Sequence, residues 1–345
     1  MKVLVGISGG PRSMVTAWLL KKQGMQVRGV HFDLSSNETS RSGIHEIEKR
    51  LGIQIQVMDL SSSAGTLFLR ERESSLMAGV SFSAKQVFHR KILFPELLRL
   101  CAHSGLEKIA TGHMVGLQDD PALQMVRVIL GSRTSLDPIF EVAEMNQDSL
   151  SRLIAPVGAI PSGLLQKLTG EVSPDFLTTP FELDWKGLES RFESPAQGAE
   201  AVDLQVFTTA GVLLGRAPLR SLKMGQPYVD SEDPDKQYRI IDLQPRSERA
   251  WVQETSLIAF QEFHFDEAHW FTTPGLGMGF CDVGMISNRV ETPRMIRLIE
   301  FEGGKLKGIL AEPMRGEDAR ILKGDSVLFV NGSEALGGAR VQRVR

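Results

Sequence analysis

The chain has 345 residues, of which 42% are hydrophobic and 23% charged, and its formal net charge at pH 7 is −3. This length allows two or three domains with cores of their own. The slight acidic balance excludes the basic excess of dedicated nucleic-acid-binding proteins, although a local basic patch is compatible with it.

The two cysteines and the start of the chain predict the cellular compartment. Cys101 and Cys281 are too few for a disulfide framework and favour a reducing cytoplasm. Met1 leads directly into a predicted strand, which leaves no room for a signal peptide. No apolar run approaches the ~20 residues that a membrane-spanning helix needs. We therefore expect a cytoplasmic protein with no membrane partner.

The first half of the chain alternates predicted strands and helices. Apolar runs predict the strands Val3–Ile7, Gln26–Phe32, Ile53–Leu60 and Glu107–Gly112, and helical spacing predicts the helices Ser13–Gln23, Ile44–Leu51, Gly65–Met77 and Gln86–Ser104. This alternation is typical of a doubly wound parallel sheet, in which ligands bind at the carboxyl ends of the strands.

Two segments follow the ends of predicted strands in this half. The glycine-rich loop Ser8–Ser13 joins the first strand to the first helix, a layout that binds phosphates on backbone N–H groups. The second segment, Thr111–His113, ends the last of these strands. Ser8 and Ser13 supply hydroxyl groups either to such a pocket or to the cap of the helix. His113 is either a pocket residue or an ordinary turn histidine.

The second half of the chain is predicted to be mainly β. Residues 161–200 read as a helical connector with prolines and glycines. The strand pairs predicted beyond it are Leu204–Phe207 with Val212–Gly215, Gln237–Leu243 with Arg249–Glu254, Met295–Glu302 with Lys305–Glu312 across Gly303-Gly304, and Val327–Val330 with Ala339–Val344. We predict a nucleotide-binding-like domain at 1–160, a central β domain at 201–270 and a β-barrel at 271–345.

Four motifs in a shared order resemble those of MnmA-type tRNA 2-thiouridylases: Met1–Ser13, Ile109–His113, Asp148–Gly158 and Leu336–Gly338. The resemblance covers nearly the whole chain. It implies an N-terminal domain of the PP-loop ATP-pyrophosphatase type, a small central β domain and a C-terminal β-barrel. It also implies a reaction in which ATP adenylates the wobble uridine of tRNA and a cysteine persulfide delivers sulfur.

The same resemblance implies a nucleotide site, here with an altered loop. The family loop has a valine and an aspartate where this chain has Pro11 and Arg12. Arg12 is able to bind an anion but not to coordinate Mg²⁺. We therefore expect the loop to bind ATP, AMP or another phosphate anion even though adenylation is lost. The implied binding residues are Gly6, Ile7, Ser8, Gly9, Gly10, Arg12, Ser13, Phe32, Gly112 and His113.

The resemblance places Phe88 at the family's nucleophilic cysteine, and Ser83–Lys85 at the Asn-Pro-Asp segment that precedes it. A benzyl side chain has no sulfur and no ionisable group, so covalent sulfur chemistry there is excluded. The stretch that holds the family's second cysteine, Gly158–Ala201, contains none here. Cys101 and Cys281 are expected to be packing residues, and two cysteines do not suffice for an iron–sulfur cluster. We expect no catalytic residue.

The segments that the resemblance assigns to tRNA contacts have lost three arginines and a lysine. Phosphate neutralisation dominates nucleic-acid affinity, so we expect weakened binding of tRNA. The remaining candidate contacts are Lys85, Asp137, Asn288 and Arg289.

One further group has a spacing compatible with a metal, His264-x-Asp266-x-x-His269. No further ligand is evident in the sequence, and the neighbouring residues are aromatic. We expect packing here, and we expect the chain as a whole to bind no zinc or other metal.

Three hypotheses about function follow. The favoured one is a member of the thiouridylase scaffold that has lost catalysis and binds a nucleotide, another anion, RNA or a protein partner. The second is an active tRNA-modifying sulfurtransferase that uses external sulfide. The third is a protein-interaction subunit, and the sequence does not separate it from the first.

Overall fold

The computed structural model describes residues 1–34, 38–130, 137–143, 145–172, 183–193, 202–272, 280–301 and 305–345. The chain forms two compact units. Unit 1 comprises Met1–Phe68 and Ala84–Ser190, and unit 2 comprises Leu69–Ser83 and Arg191–Arg345. Among the described helices, none combines the length and the apolar character that crossing a membrane requires.

Unit 1 contains seven described strands: β1 (Lys2–Gly6), β2 (Gln26–Asp33), β3 (Ile55–Asp59), β4 (Lys108–Ala110), β5 (Gly116–Asp120), β6 (Met125–Ile129) and β7 (Leu153–Ile154). Five of them form a parallel sheet in the order β3-β2-β1-β4-β7. The central strand β1 has an unbroken apolar run because its side chains, such as Val3 and Val5, are fully buried. The other two form the antiparallel hairpin β5–β6.

Nine α-helices are described: α1 (Pro11–Lys22), α2 (Glu38–Leu51), α3 (Ser61–Ala78), α4 (Ala84–Phe88), α5 (Phe94–His103), α6 (Asp137–Val142), α7 (Gln147–Arg152), α8 (Ser162–Val172) and α9 (Trp185–Glu193). The predicted single helix over Gln86–Ser104 is wrong in one respect, because a π-helical turn, His89–Leu93, separates α4 from α5. Pro95 has no N–H to donate within the helix, and the preceding N–H of Phe94 bonds five residues back to the His89 carbonyl.

Unit 2 begins its β structure with β8 (Asp203–Thr208), β9 (Leu213–Pro218), β10 (Pro227–Val229), β11 (Gln237–Gln244) and β12 (Arg249–Glu254). These strands form a mixed sheet in the order β10-β11-β12-β8-β9. The predicted hairpins β8–β9 and β11–β12 are confirmed as antiparallel pairs, whereas β8 and β12 run parallel.

Six further strands follow in unit 2: β13 (Ala259–Trp270), β14 (Phe280–Ser287), β15 (Val290–Phe301), β16 (Lys305–Arg315), β17 (Ser326–Asn331) and β18 (Glu334–Val344). They form an antiparallel barrel in the order β13-β16-β15-β14-β17-β18, and pairing of β13 with β18 closes it. The predicted pairs β15–β16 and β17–β18 are confirmed; the Gly303-Gly304 turn lies outside the described residues.

The fold class predicted from the sequence is therefore confirmed: an N-terminal parallel α/β sheet is followed by β structure that ends in a barrel. The predicted domain boundaries at 160, 200 and 270 stay a prediction.

Candidate functional site

The glycine loop lies between the end of β1 and the first turn of α1. Gly9 has a φ of +88°, in the region that favours glycine, and Gly10 is the N-cap of α1. The Ser8 hydroxyl accepts a hydrogen bond from the Gly10 N–H at 3.2 Å, and the Ser13 hydroxyl donates to the Gly10 carbonyl at 2.9 Å. Both serines therefore hold the loop in shape, and neither caps α1, whose N-cap Gly10 has no side-chain cap.

The second predicted segment, Thr111–His113, packs against this loop. A Cβ added to Gly112 would lie 2.7 Å from the Ser13 backbone nitrogen and 2.9 Å from the Arg12 carbonyl carbon, so only glycine allows this approach. The Thr16 hydroxyl of α1 also donates to the Thr111 carbonyl at 3.4 Å. The structure thus brings together two of the segments assigned to nucleotide binding, with Arg12 exposed beside them.

Four charged or titratable residues, Lys85, His89, His113 and Glu141, form a cluster next to these segments, which we call the Glu141 cluster. His113 Nε2 donates to Glu141 Oε2 at 2.8 Å, and the Lys85 ammonium lies 2.6 Å from Oε1. His89 Nδ1 lies 3.7 Å from Oε1 and donates to the Lys85 carbonyl at 2.8 Å. Three separate parts of unit 1 therefore converge on one carboxylate.

Burial and the neighbouring charges act in opposite directions on the carboxylate of this cluster. The Glu141 side chain is only 7% exposed. Its burial raises the pKa of the carboxyl, but the hydrogen bond from His113 and the neighbouring histidines and Lys85 outweigh this, so the net shift is downward. Burial lowers the pKa of His89 to about 3. At neutral pH the cluster therefore contains an ionised carboxylate beside a neutral His89.

Aromatic side chains surround Phe88, which the resemblance places at the family's nucleophile position. Its ring centroid lies 5.3 Å from that of Trp185, 5.5 Å from that of His89 and 6.4 Å from that of Phe32. Phe88 and Phe32 are both buried. Phe32, which the resemblance assigns to nucleotide binding, thus lies edge-to-face with Phe88.

Neither cysteine has the environment of a reactive thiol. Cys101 is buried in α5 and its Sγ donates to the Leu106 carbonyl at 3.2 Å. Burial raises the pKa of the Cys101 thiol, and burial and the neighbouring Asp282 raise the pKa of Cys281 in β14. Reactive cysteines need the opposite shift, because the thiolate is the nucleophile.

Two of the predicted tRNA contacts are engaged in ion pairs. Lys85 pairs with Glu141 in unit 1, and Arg289 Nε lies 2.9 Å from Asp325 Oδ1 in unit 2. Asn288 is exposed in the turn between β14 and β15. Asp137 begins α6, and its side chain lies outside the described residues.

The predicted absence of a metal at His264, Asp266 and His269 stays a prediction. These residues lie on the barrel strand β13, which the sequence analysis did not predict. His264 Nε2 is 2.6 Å from Glu262 Oε1, and Asp266 Oδ2 accepts a hydrogen bond from Gln342 at 2.7 Å. Each of these two side chains therefore has a partner within the barrel.

Sequence reasoning missed Glu141 and His89 as site residues. Neither belongs to a motif, and no regular spacing relates them to His113. Only the fold brings α6 and the π-helical turn to the end of β4.

Comparison with known proteins gives the following similarities. The family model described as tRNA methyl transferase HUP domain matches residues 1–173. The tRNA-specific 2-thiouridylases MnmA of Shigella flexneri and Citrobacter koseri are each 24% identical to this chain, and each alignment covers 99% of it and 97% of the relative. The crystal structure of a 4-thiouridine synthetase–RNA complex with bound ATP aligns with a TM-score of 0.38 at 15% identity, over 56% of this chain and 49% of that one.

Proposed function

The chain belongs to the MnmA-type tRNA thiouridylase family, and on that premise we propose that it is a member that binds phosphate groups without itself transferring sulfur. The ligand is ATP, AMP or another phosphate anion, bound at the loop Ser8–Ser13. The proposal differs from the second hypothesis, an active sulfurtransferase that uses external sulfide, because it holds that catalysis is lost. It differs from the third, a protein-interaction subunit, because it holds that a ligand still binds.

The environment of Phe88 is the observation that carries the proposal. The cysteine mechanism of the family needs a thiolate at this position. Here the position holds a hydrocarbon ring, which packs against Phe32 and Trp185. Cys101 is buried and bonded to a backbone carbonyl, so it does not replace the missing nucleophile. Lys85, at the position of the family's aspartate, adds a cation where the family has an anion.

Binding of phosphate groups is supported by what the loop retains. The strand, the positive φ of Gly9 and the start of α1 keep the backbone layout of an anion site. Arg12 adds an exposed permanent cation at the first turn of that helix. Both features favour an anion such as pyrophosphate, and neither requires Mg²⁺.

The loss of catalysis is tested by incubating the full chain with Mg·ATP, tRNA and either sulfide or a persulfide donor. We expect no thiouridine in the digested tRNA by mass spectrometry. A relative with its cysteines intact, assayed in parallel, controls for the quality of the tRNA and the donor. Formation of thiouridine above the level without protein contradicts the proposal and favours the external-sulfide alternative.

The retained binding is tested by calorimetry with pyrophosphate, AMP and ATP. Arg12→Asp is expected to weaken pyrophosphate binding roughly tenfold, because one charge-assisted hydrogen bond of about 1.5 kcal/mol is lost. Arg70→Asp makes the same charge change at an exposed arginine of α3 and should leave binding unchanged. Equal affinities in both variants would show that Arg12 is not part of the site.

A further inference from the structure

The Glu141 cluster contains a set of metal-ligand groups that the proposed function does not use. The metal-ligand atoms of His89, His113 and Glu141 all lie within 4.8 Å of one another. This is the one such group of three among the described residues. Two imidazoles and one carboxylate form the donor set of catalytic zinc sites, which leave a fourth position for water or substrate. We propose that His89, His113 and Glu141 bind a divalent transition-metal ion, Zn²⁺ in the first instance.

The carboxylate is the first observation behind this proposal. Glu141 is more than nine-tenths buried, and its Oε1 has no hydrogen-bond partner in the described part of the chain. A buried carboxylate oxygen without a hydrogen bond is costly unless a cation compensates it. Oε1 lies 3.7 Å from Nδ1 of His89.

The position of Lys85 is the second observation. Its ammonium lies 2.6 Å from the same Oε1, in ion-pair contact but without hydrogen-bond geometry. A positive charge is therefore already stable at this oxygen. The Lys85 side chain is 37% exposed, so it is able to turn into solvent when a metal ion takes its place. The Lys85 ammonium and the metal ion therefore compete for Glu141 Oε1.

The surroundings of the two histidines support the same assignment. His89 is buried, and its Nδ1 donates to the Lys85 carbonyl at 2.8 Å, which leaves Nε2 as the nitrogen for the metal. His113 Nδ1 lies 2.8 Å from the Thr111 hydroxyl, a contact of the kind that orients metal-binding histidines through their second ring nitrogen. The Nε2 atom of His113 now donates to Glu141 Oε2, so metal binding at Nε2 requires the tautomer whose proton lies on Nδ1, facing the Thr111 hydroxyl.

Titration of the chelator-treated full chain with Zn²⁺, in competition with a chromophoric chelator, tests the proposal without nucleotide or tRNA. Its failure would therefore leave the proposed anion binding untouched. We expect one Zn²⁺ per chain, and a visible Co²⁺ spectrum of tetrahedral intensity. His89→Ala and Glu141→Gln should each weaken binding by more than about 100-fold, since losing a group that only orients a ligand already costs about 10- to 100-fold.

Two further variants test whether the ion binds at the Glu141 cluster and at no other histidine. Lys85→Met should tighten Zn²⁺ binding about fivefold, because it removes the competing ammonium. His264→Ala changes another histidine that lies beside a glutamate, on β13, and should leave binding unchanged. Circular dichroism checks that each variant is folded, and Glu141→Gln keeps the size of the side chain.

Three outcomes would overturn the assignment: no stoichiometric Zn²⁺ binding, binding that survives Glu141→Gln in the folded protein, or binding that is lost in His264→Ala instead. Weaker binding in Lys85→Met would also contradict it, because that result would make the ammonium a supporter of the site and not its competitor.

Discussion

At the scale of single residues, Arg289 serves the fold of unit 2. It was predicted as a contact to tRNA, yet its guanidinium lies 2.9 Å from the buried Asp325, the residue before β17. Asp325 Oδ2 also accepts the Leu322 N–H at 2.8 Å. The negative charge of the buried carboxylate offsets that of the guanidinium, so the pair attracts a phosphate less strongly than a lone arginine does. We infer that its first role is to neutralise Asp325.

The buried carboxyl of Asp325 makes a pH dependence of stability testable. Burial raises its pKa to about 6, against the opposing effects of Arg289 and the Leu322 N–H. A folded-state pKa above the unfolded value stabilises the protein at low pH, and this contribution is lost as the pH rises through 6. The free energy of unfolding of the wild type, relative to that of Asp325→Asn, should fall by on the order of 3 kcal/mol between pH 4 and pH 7.

Urea denaturation followed by circular dichroism at several pH values measures this difference. Asp282→Asn is the matched control, because Asp282 also pairs with an arginine but is exposed. The hydrogen bond from Arg297 lowers the pKa of Asp282, so its small effect has the opposite sign. Parallel curves for the wild type and Asp325→Asn would contradict the prediction.

The same scale shows which contacts of the candidate site the sequence was able to predict. Ser8–Ser13 and Thr111–His113 were found because a glycine loop between a strand and a helix is a local pattern, and the structure brings them together. Glu141 and His89 were not found, because their proximity arises from packing between elements that are distant along the chain. A local pattern does not contain that information.

At the scale of secondary-structure elements, the turn at His89–Leu93 determines what surrounds Phe88. This residue ends α4, and the wider turn that follows places the His89 ring against it at 5.5 Å. The missed elements have comparable causes. The helical periodicity of Gln86–Ser104 continues across Pro95, so it does not indicate the break. In β13, aromatic and charged residues follow one another closely, so the strand lacks a simple apolar–polar pattern.

Truncation of Phe88 tests how much this aromatic packing contributes to stability. Phe88→Ala should lower the free energy of unfolding by about 3–4 kcal/mol, because a large buried ring leaves a cavity. The same change at Phe280, which is 41% exposed where Phe88 is 9% exposed, should cost less than about 1 kcal/mol. Urea denaturation of both variants measures the difference. Similar losses would mean that the cluster around Phe88 is loosely packed.

At the scale of the whole molecule, charge limits how this chain is able to bind tRNA. The net charge is −3, and the candidate contacts Lys85 and Arg289 already pair with buried carboxylates. Each additional phosphate contact makes binding steeper in salt, by about 0.7–0.9 in the slope of log K against log salt. Because two of the four candidate contacts are already paired, we expect few phosphate contacts.

We expect tRNA to bind weakly, with a salt slope no steeper than about −3. Fluorescence anisotropy of labelled tRNA over a range of KCl concentrations measures this slope. A duplex DNA of similar length is the control, and comparable affinity for it would mark the binding as non-specific. A slope of about −6 or steeper, together with clear preference for tRNA, would contradict the prediction and point to a basic surface that the sequence did not reveal.

Closure of the barrel has a consequence for biosynthesis. β13 pairs with β16 on one side and with β18 on the other, where Phe263 faces Val344. During translation β18 leaves the ribosome after all the other strands of the barrel. The polar edge of β13 therefore stays open in the nascent chain, and an open edge invites pairing with other unfinished chains. Slow synthesis of the last strand would prolong that exposure.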